Sequence, residues 1–306
     1  MSAKILVTGA SGFLGRHLIK KLAADNGQVY GIVNSRLTSV KGLIDQAKIY
    51  KANLSDYSSA EKIITKIKPD IIFHLAGYLG KSEGAEEIKH AFESNVLCTL
   101  NLLISGNAVN YSRLVFAGSY AEYGSQAVPF REEYKLNPAS SYGTSKAVAE
   151  LYCRLFQAYG KPITILRFSA LYGPCQQISS LIPSVINSAL AGKEIIMTQG
   201  TQSRDFLYVD DAVNALLKSA ANPRAKGEIF NIGSGKEVQI RKIAESIVKL
   251  CKSKSRIKAG ALPQRKNEVM HVYGDISKAK RLLGWSPETK LDGGLKKTIK
   301  WYKGKK

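Results

Sequence analysis

Ser119, Tyr142 and Lys146 have the residue types and the spacing of a proton-transfer site. Tyr142 and Lys146 are four residues apart in a segment with a helical pattern, so their side chains share one helix face. A phenol with an ordinary pKa of about 10 is a poor acid or base at neutral pH, and we expect the Lys146 ammonium to lower that pKa. The Ser119 hydroxyl can hydrogen-bond the reacting oxygen. We predict that these three residues are catalytic; the alternative is an ordinary pair on a helix surface.

A glycine-rich loop near the start of the chain predicts the cofactor for this chemistry. The loop follows the apolar segment 4–8, which is typical of a strand, and leads into a helical pattern. Such glycines permit a tight turn and a close approach of the main chain to a phosphate, which the following helix N-terminus attracts. We therefore predict a dinucleotide site, rather than a purely structural turn, at Gly9, Ser11, Gly12, Phe13, Leu14 and Gly15.

The end of the second predicted strand distinguishes between the two nicotinamide dinucleotides. A carboxylate at this point would bind an adenosine ribose, whereas a cation suits a 2′-phosphate. The chain has Asn34, Ser35 and Arg36 here and no acid. We therefore favour NADP(H), with NAD as the alternative cofactor and an ordinary loop cation as the other interpretation of Arg36.

Further cofactor contacts are expected after the later strands. The pair 53–54 follows the third strand and can contact adenine, and segment 75–77 follows the fourth and can line the cofactor. Asn95 lies in a long helix that the pattern predicts around residues 92–105. The predicted contacts are Asn53, Leu54, Leu75, Ala76, Gly77, Asn95, Tyr142 and Lys146, the last also reaching the nicotinamide ribose.

The elements that must position these residues alternate along the chain. From residue 4 to about residue 166, short β-branched apolar runs alternate with helical patterns. This alternation is typical of parallel strands that are buried on both faces and joined by crossover helices. We predict an α/β fold: a doubly wound parallel sheet and a smaller mixed α/β C-terminal substrate domain. The first domain is expected at 1–168 plus about 206–232, and the second at about 169–205 and 233–306.

The net charge of +21 is unevenly distributed, because residues 241–306 contain 19 basic and 5 acidic side chains. Such an excess can steer an anionic ligand, bind the phosphates of a nucleic acid, or simply solvate lysine-rich helices. Lys296, Lys297, Lys300 and Lys303 have mixed helical spacing and belong to no recognisable nucleic-acid module. We therefore expect a solvated surface and no nucleic-acid partner.

Composition and length predict a folded protein, since 306 residues with an apolar fraction of 44% can bury a sizeable core. A strand-like segment that begins at Lys4 leaves no room for a signal peptide, and no apolar run approaches the roughly 20 residues of a membrane span. We expect a cytoplasmic protein without a membrane partner. The four cysteines and four histidines lack metal-ligand spacing, so reduced thiols and no metal are predicted.

Taken together, the motifs resemble the extended short-chain dehydrogenase/reductase family of the NAD-dependent epimerase/dehydratase type, which modifies nucleotide sugars. The resemblance covers almost the whole chain. It implies a Rossmann domain, a nucleotide-sugar domain and a homodimer built on two helices from each subunit. The matching motifs are Thr8 to Gly15, Asn95-Val96, Ser119 with Tyr123-Gly124, Tyr142 to Lys146, Leu166-Arg167 with Tyr172-Gly173-Pro174, Arg204-Asp205-Phe206 with Tyr208-Val209-Asp210, Phe230 to Gly233, and Leu283-Gly284-Trp285.

Departures from the family pattern narrow the expected reaction. Tyr120 and Ala121 stand where the dehydratases of the family have an Asp-Glu pair, so elimination of water is not expected. Glu122 stands where Val is more usual, and the stretch 118–124 is similar to that of reductases of GDP-4-keto-6-deoxy-D-mannose. Ala170 stands where the family has an Asn before the Tyr-Gly-Pro motif.

The resemblance also assigns residues to the substrate half. Arg204 and Arg265 match the family positions that grip the diphosphate, for which a guanidinium fork supplies paired, charge-assisted hydrogen bonds. A surface ion pair is the alternative role for each arginine, and a core helix is the alternative for Leu181, which can contact the base. The expected substrate residues are Ser119, Ala170, Leu181, Arg204 and Arg265.

The leading prediction is an NADP(H)-dependent reductase that converts an NDP-4-keto-6-deoxyhexose, such as GDP-4-keto-6-deoxy-D-mannose, to the NDP-6-deoxyhexose. Hydride goes to C4, Tyr142 protonates the carbonyl oxygen, Ser119 orients that oxygen, and Lys146 lowers the pKa of Tyr142. The alternative is an NDP-sugar 4-epimerase with tightly bound NAD, which uses the same residues without net cofactor turnover. A non-catalytic cofactor-sensing or RNA-binding protein on the same fold is the remote alternative.

Overall fold

The computed structural model describes residues 3–24, 27–34, 45–80, 82–264 and 267–304. Strands and helices alternate through the first 170 residues, as the sequence predicts. The strands are β1 (Lys4–Thr8), β2 (Gln28–Val33), β3 (Lys48–Lys51), β4 (Ile71–His74), β5 (Arg113–Ser119), β6 (Ile163–Phe168), β7 (Ala170–Tyr172), β8 (Ile195–Met197), β9 (Ser203–Tyr208), β10 (Ile229–Ile232), β11 (Glu237–Gln239) and β12 (Ile257–Ala259). The α-helices are α1 (Phe13–Ala24), α2 (Tyr57–Ile67), α3 (Ala85–Ala91), α4 (Cys98–Gly106), α5 (Ser141–Ala158), α6 (Leu181–Leu190), α7 (Val209–Ala221), α8 (Ile240–Cys251) and α9 (Leu291–Lys303).

Seven of these strands form one parallel sheet in the order β3-β2-β1-β4-β5-β6-β10. The chain leaves β1 toward β2 and β3 on one side and returns through β4 to β6 on the other. The order therefore reverses between β1 and β4. Open parallel sheets bind ligands in the crevice above the carboxyl ends of the strands at such a reversal. The predicted Rossmann-type α/β fold is confirmed.

Helices cover both faces of this sheet because the strands are apolar on both sides. On one face, buried side chains of α1 and α7, including Leu18, Ile19 and Leu216, pack against the strands. On the other face, α2, α4 and α5 contribute Ile64, Leu102 and other buried residues to a second apolar cluster. This double burial holds the carboxyl-end loops on a rigid base.

A smaller region packs around its own apolar cluster, which includes residues of α6, α8 and α9. It contains a three-stranded sheet in the order β11-β9-β7 and a parallel pair of β12 with β8. No helix in the described ranges is long and apolar enough to cross a membrane.

Two details differ from the predicted elements. The long helix expected around 92–105 is interrupted by a π-helical turn, Phe92–Leu97, between α3 and α4, a feature that often marks functional sites. Residues 206–208 form the end of β9 in the three-stranded sheet, and Leu207 packs in the same apolar cluster as α7 and β10 of the main sheet. The sequence pattern missed β9 because a short strand has too few periods to identify it.

Candidate active site

The loop between β1 and α1 has the geometry of a phosphate cradle. Gly9 has a φ of +67°, and a Cβ on it would lie 2.8 Å from the main-chain nitrogen of Ala76. A side chain at Gly15 would overlap the carbonyl oxygen of Gly9, because α1 starts so close to β1. Gly12 donates its N–H to that same oxygen at 2.9 Å, which closes the turn beside Ser11. With no acid in the first turn of α1, the loop fits a dinucleotide pyrophosphate.

The first turn of α1 also joins the two halves of the molecule. Phe13 and Leu14 pack against the apolar cluster of the smaller region. A Cβ on Gly173, in the loop after β7, would approach the Phe13 ring to 3.5 Å. The loop between β1 and α1 and the smaller region are therefore in direct contact.

The adenosine end is only partly described. Asn34 is exposed directly after β2, while Ser35 and Arg36 lie outside the described residues. The Asn53 side chain is exposed but accepts hydrogen bonds from the main chain and hydroxyl of Ser55 at 3.2 and 2.9 Å. The Leu54 side chain is buried in the core, and its carbonyl oxygen accepts from Asn101 Nδ2 at 3.0 Å.

Asn95, which the π-helical turn carries, ties the loop after β4 to the catalytic helix. Its Oδ1 accepts from Tyr78 N at 2.7 Å, and its Nδ2 donates to Tyr78 O at 2.9 Å and to Ser145 Oγ at 2.8 Å. Ser145 in turn donates to the carbonyl oxygen of Tyr142 at 2.8 Å. Gly77 has no room for a Cβ, which would lie 2.8 Å from Asn95 Oδ1. Asn95 is fully buried and holds the loop after β4 against α5, while its cofactor contact stays a prediction.

A second buried chain of hydrogen bonds, which the sequence did not reveal, underlies the same loop. Ala76 N donates to Thr8 Oγ1 at 3.1 Å, and Thr8 Oγ1 lies 2.7 Å from His74 Nδ1. His74 Nε2 lies 2.9 Å from Thr99 Oγ1, which donates to the carbonyl oxygen of Asn95. Because each hydroxyl has one proton, these contacts fix His74 as the neutral tautomer protonated on Nε2. Ala76 and, through it, Leu75 are thereby held next to the glycine loop.

Burial lowers the pKa of His74 to about 3, and the positive charge of Lys146 acts in the same direction. A neutral imidazole is therefore the state at every pH at which the protein would work.

The structure brings the three predicted catalytic side chains together. Ser140 is the N-cap of α5, which places Tyr142 and Lys146 one turn apart at the start of that helix. The Lys146 ammonium lies 4.2 Å from the centre of the Phe116 ring. Ser119 ends β5, and its hydroxyl is close enough to the Tyr142 phenol to oppose the rise in the pKa of that phenol. A serine, a phenol and an ammonium thus meet at the carboxyl ends of the strands.

The electrostatics of this set differ from the expectation that Lys146 lowers the pKa of Tyr142. Burial raises the pKa of Tyr142 to about 12, the Ser119 hydroxyl opposes this, and Glu122 adds to it. Burial also lowers the pKa of Lys146, against the effect of nearby acidic groups, chiefly Glu122. In the ligand-free chain Tyr142 is therefore a neutral phenol, ready to donate a proton.

In the substrate half, Arg204 makes an ion pair with Glu268. Its Nη1 donates to the carbonyl oxygens of Ser203 and Val269 at 2.7 and 2.8 Å. These contacts match the ion-pair alternative, while 22% of the arginine side chain stays accessible. These contacts orient the Arg204 guanidinium, and its accessible part can still bind an anion.

The structure gives less information about the other predicted substrate residues. Ala170, in β7, is partly buried opposite Phe206 of β9. Leu181 begins α6 and packs against the cluster of the smaller region, and Arg265 lies outside the described residues. Across the described ranges, no group of three or more His, Cys, Asp or Glu side chains is arranged to hold a metal ion.

Comparison with known proteins matches this architecture to enzymes that act on nucleotide sugars. A putative UDP-glucose 4-epimerase of Methanocaldococcus jannaschii is 34% identical over 98% of each chain. The structure of UDP-glucose 4-epimerase from Thermotoga maritima with UDP-glucose has 27% identity and a TM-score of 0.92, with 99% of each chain covered. That of UDP-glucuronic acid 4-epimerase from Bacillus cereus, with UDP-glucuronic acid and NAD, has 26% identity and a TM-score of 0.91 over 99% of this chain and all of the other.

The sequence profile of one family spans the glycine loop, the catalytic set and the main sheet through β10. It matches residues 5–233, which is well over half of the chain. The resemblance inferred from the motifs is confirmed. The chain belongs to the NAD dependent epimerase/dehydratase family.

Proposed function

We propose that the chain is an NDP-sugar 4-epimerase that keeps NAD bound and takes a UDP-sugar as substrate. The observation that carries the proposal is the meeting of Ser119, Tyr142 and Lys146 beside the glycine loop, in a chain related over its whole length to 4-epimerases. This reaction uses the residues that the leading sequence prediction gave to a reductase.

The glycine loop would hold the dinucleotide, which would supply a hydride acceptor and donor for C4 of the sugar. Tyr142 removes the proton of the C4 hydroxyl and later returns it to the carbonyl oxygen. The phenol has a pKa of about 12 without ligands, so removing the proton requires positive charge close to its oxygen. Lys146 supplies one such charge. Ser119 hydrogen-bonds the reacting oxygen from the other side.

NAD is supported as the resident cofactor by the relatives, one of whose structures contains it. The residues present fit a dinucleotide, because the glycine loop has no room for side chains and leads into a helix N-terminus without acids. An epimerase recycles its cofactor, so tight binding of one dinucleotide suits it better than exchange. A short positioning network, centred on Asn95, would hold the nicotinamide end of the site in place.

An NADP(H)-dependent reductase of an NDP-4-keto-6-deoxyhexose remains the second candidate. One observation favours it: Asn34 and its neighbours after β2 include no acid to bind an adenosine ribose. Net reduction predicts oxidation of added NADPH, whereas epimerisation predicts none.

We also propose that two copies of the chain associate through α3, α4, α5 and the turn between α3 and α4. Large apolar side chains are exposed there and, on α5, recur every four residues along one face. They are Ile88, Phe92, Ile104, Leu151, Leu155 and Tyr159. Leu155→Glu should give a monomer in sedimentation velocity, while the control Leu262→Glu, at an exposed site elsewhere, should leave the dimer intact. A wild-type monomer at micromolar concentration would contradict this association.

The function is tested on purified protein without added cofactor. Released dinucleotide is identified by mass, and UDP-glucose, UDP-glucuronic acid and UDP-N-acetylglucosamine are incubated separately and their C4 epimers resolved by chromatography. The proposal predicts bound NAD and conversion of at least one sugar. Substrate-dependent oxidation of NADPH with a 4-keto-6-deoxy sugar, and no epimer, would instead establish the reductase.

A further inference from the structure

A fully buried group of charged side chains lies behind the catalytic serine. Arg167, in β6, donates from Nε and Nη2 to both carboxylate oxygens of Glu150, in α5, at 2.8 and 2.6 Å. Its Nη1 donates to the hydroxyl of Tyr123 at 2.6 Å. Arg167 and Glu150 thus form a buried pair joined by two hydrogen bonds.

Glu122 is the additional acid in this group and lies buried in the short helical turn that follows β5. Its Oε1 accepts from the main-chain nitrogen of Ser119 at 2.6 Å, while the Ser119 hydroxyl accepts from Ala121 N at 3.2 Å. A Cβ on Gly118 would lie 3.0 Å from that Oε1, so the absence of a side chain there makes room for the carboxyl. Together these contacts form a capping box that fixes the position of Ser119.

The second carboxylate oxygen of Glu122, Oε2, has no hydrogen-bond donor among the described residues. Oε2 is buried, lies 3.7 Å from Arg167 Nε, and makes no hydrogen bond to a donor in the described part of the chain. Lys146 forms no ion pair with it among the described residues, because the ammonium is directed over the Phe116 ring. A buried carboxylate oxygen without a donor is costly, and a proton on it removes the cost.

Two carboxylates flank the same guanidinium nitrogen. Arg167 Nε donates to Glu150 at 2.8 Å and lies 3.7 Å from Glu122 Oε2, so Glu150 takes the hydrogen bond and Glu122 has the unsatisfied oxygen. Burial and then Glu150 raise the pKa of Glu122 well above its usual range. Burial would raise the pKa of Glu150 as well, but the bonds from Arg167 outweigh it and lower that pKa. Glu150 therefore carries the negative charge and Glu122 the proton.

A charge on Glu122 would act directly on the catalytic groups. An ionised Glu122 raises the pKa of Tyr142, whose deprotonation the reaction needs. The titratable groups that face Glu122 come from two elements, α5 and β6. They are Tyr142, Lys146, Glu150 and Cys153 of α5 and Arg167 of β6.

We propose that Glu122 is a positioning residue that works as a neutral carboxylic acid: Oε1 holds Ser119, and a proton on Oε2 keeps negative charge away from Tyr142 and Lys146. The role rests on the proposed reaction, in which Ser119 orients the sugar oxygen and Tyr142 must lose its proton. Glu122 itself touches neither substrate nor cofactor.

The test compares Glu122→Gln with Glu122→Met in the full chain with its bound cofactor. Glutamine keeps an oxygen for Ser119 N and carries no charge, whereas methionine fills the space but has no oxygen for Ser119 N. We expect Glu122→Gln to retain kcat within about threefold between pH 6 and pH 8, and Glu122→Met to lose about tenfold or more in kcat with a KM within about threefold. Glu132→Gln, a partly buried acid that accepts from Asn231 N away from Lys146, is the matched control and should behave as wild type.

A readout independent of turnover separates this proposal from the proposed function. Infrared spectra at neutral pH should contain a protonated carboxyl C=O band that disappears in Glu122→Gln and persists in Glu132→Gln. If no sugar is converted but the band behaves in this way, the reaction is wrong and the protonated state of Glu122 stands. The positioning role is overturned if Glu122→Gln loses as much kcat at neutral pH as Glu122→Met, if Glu122→Met keeps full kcat, or if Glu122→Gln leaves the band unchanged.

Discussion

The two halves of the site are built from different interactions. Around the cofactor loop and α5, buried neutral groups such as Asn95, His74 and Thr99 are fully hydrogen-bonded and fix the main chain. In the substrate half, the described candidate is a charged and partly accessible arginine, Arg204, paired with Glu268. A network of buried neutral bonds has one low-energy arrangement, whereas an exposed ion pair can exchange partners at little cost.

This difference indicates which half of the site determines the reaction and which half determines the choice of substrate. The rigid half must hold a hydride path and a proton path to within a fraction of an ångström. The charged half only needs to attract and orient a diphosphate. Changes in the first half are therefore expected in kcat, and changes in the second half in KM.

The largest effect is expected in the rigid half, from Tyr142→Phe. Loss of the phenol removes the proton acceptor and donor, so kcat should fall by about a thousandfold. The glycine loop is untouched, so the dinucleotide should still copurify in equal amount. Steady-state turnover and the ratio of bound cofactor to protein measure both quantities.

Tyr152→Phe, on the same helix but packed against the core, is the matched control and should keep wild-type turnover. Turnover by Tyr142→Phe close to that of the control would remove Tyr142 from the mechanism.

The substitution Arg204→Met tests whether the charged half of the site acts on KM and not on kcat. Removing charge-assisted bonds to a diphosphate should raise KM about tenfold to a hundredfold, with kcat changed less than threefold. Arg241→Met, which breaks an exposed pair with Glu245 one turn away, should leave KM unchanged. A loss confined to kcat would show that the substrate half, too, sets the reaction geometry.

The smallest effect concerns the pH dependence of stability and comes from His74. Its pKa falls from 6.5 in the unfolded chain to about 3 in the fold, so its contribution is complete above pH 6.5 and is lost as the pH falls from 6.5 toward 3. At about 1.4 kcal/mol per pH unit, wild type should lose about 2 kcal/mol of unfolding free energy from this group between pH 6.5 and pH 5.

His74→Gln should lower the unfolding free energy at pH 7, but it should not show this acid-dependent loss. Denaturant unfolding at pH 6.5 and at pH 5 measures the loss. His90→Gln, at an exposed histidine, should follow wild type. Equal slopes for His74→Gln and wild type would show that His74 is not held neutral by the fold.

The sequence was most informative where the chemistry depends on local spacing. The glycine loop and the Tyr142–Lys146 pair are defined by a few consecutive residues, and the strand pattern identified the parallel sheet around them. Contacts between distant segments had no such signal. Neither the contact of Thr8 with His74 nor that of Glu122 with Arg167 is visible from spacing, although the unusual acid at 122 was itself noticeable.

Burial also reversed one electrostatic expectation. A lysine four residues from a tyrosine suggests a lowered phenol pKa, but the fold withdraws Tyr142 from water and the pKa rises to about 12. The sequence also could not decide between a reductase and an epimerase. Both reactions use the same three side chains, and they differ in whether the cofactor leaves.

The most direct test of the central claim follows deuterium from C4 of the sugar. UDP-sugar labelled with deuterium at C4, whichever sugar the enzyme converts, is incubated with the protein in the presence of excess unlabelled NADH, and product is analysed by mass and NMR. The account predicts an epimer that retains deuterium at C4 without dilution, because the hydride returns from a cofactor that never leaves. Product with hydrogen at C4, or label appearing in free NADH, would contradict an epimerase that recycles its bound cofactor.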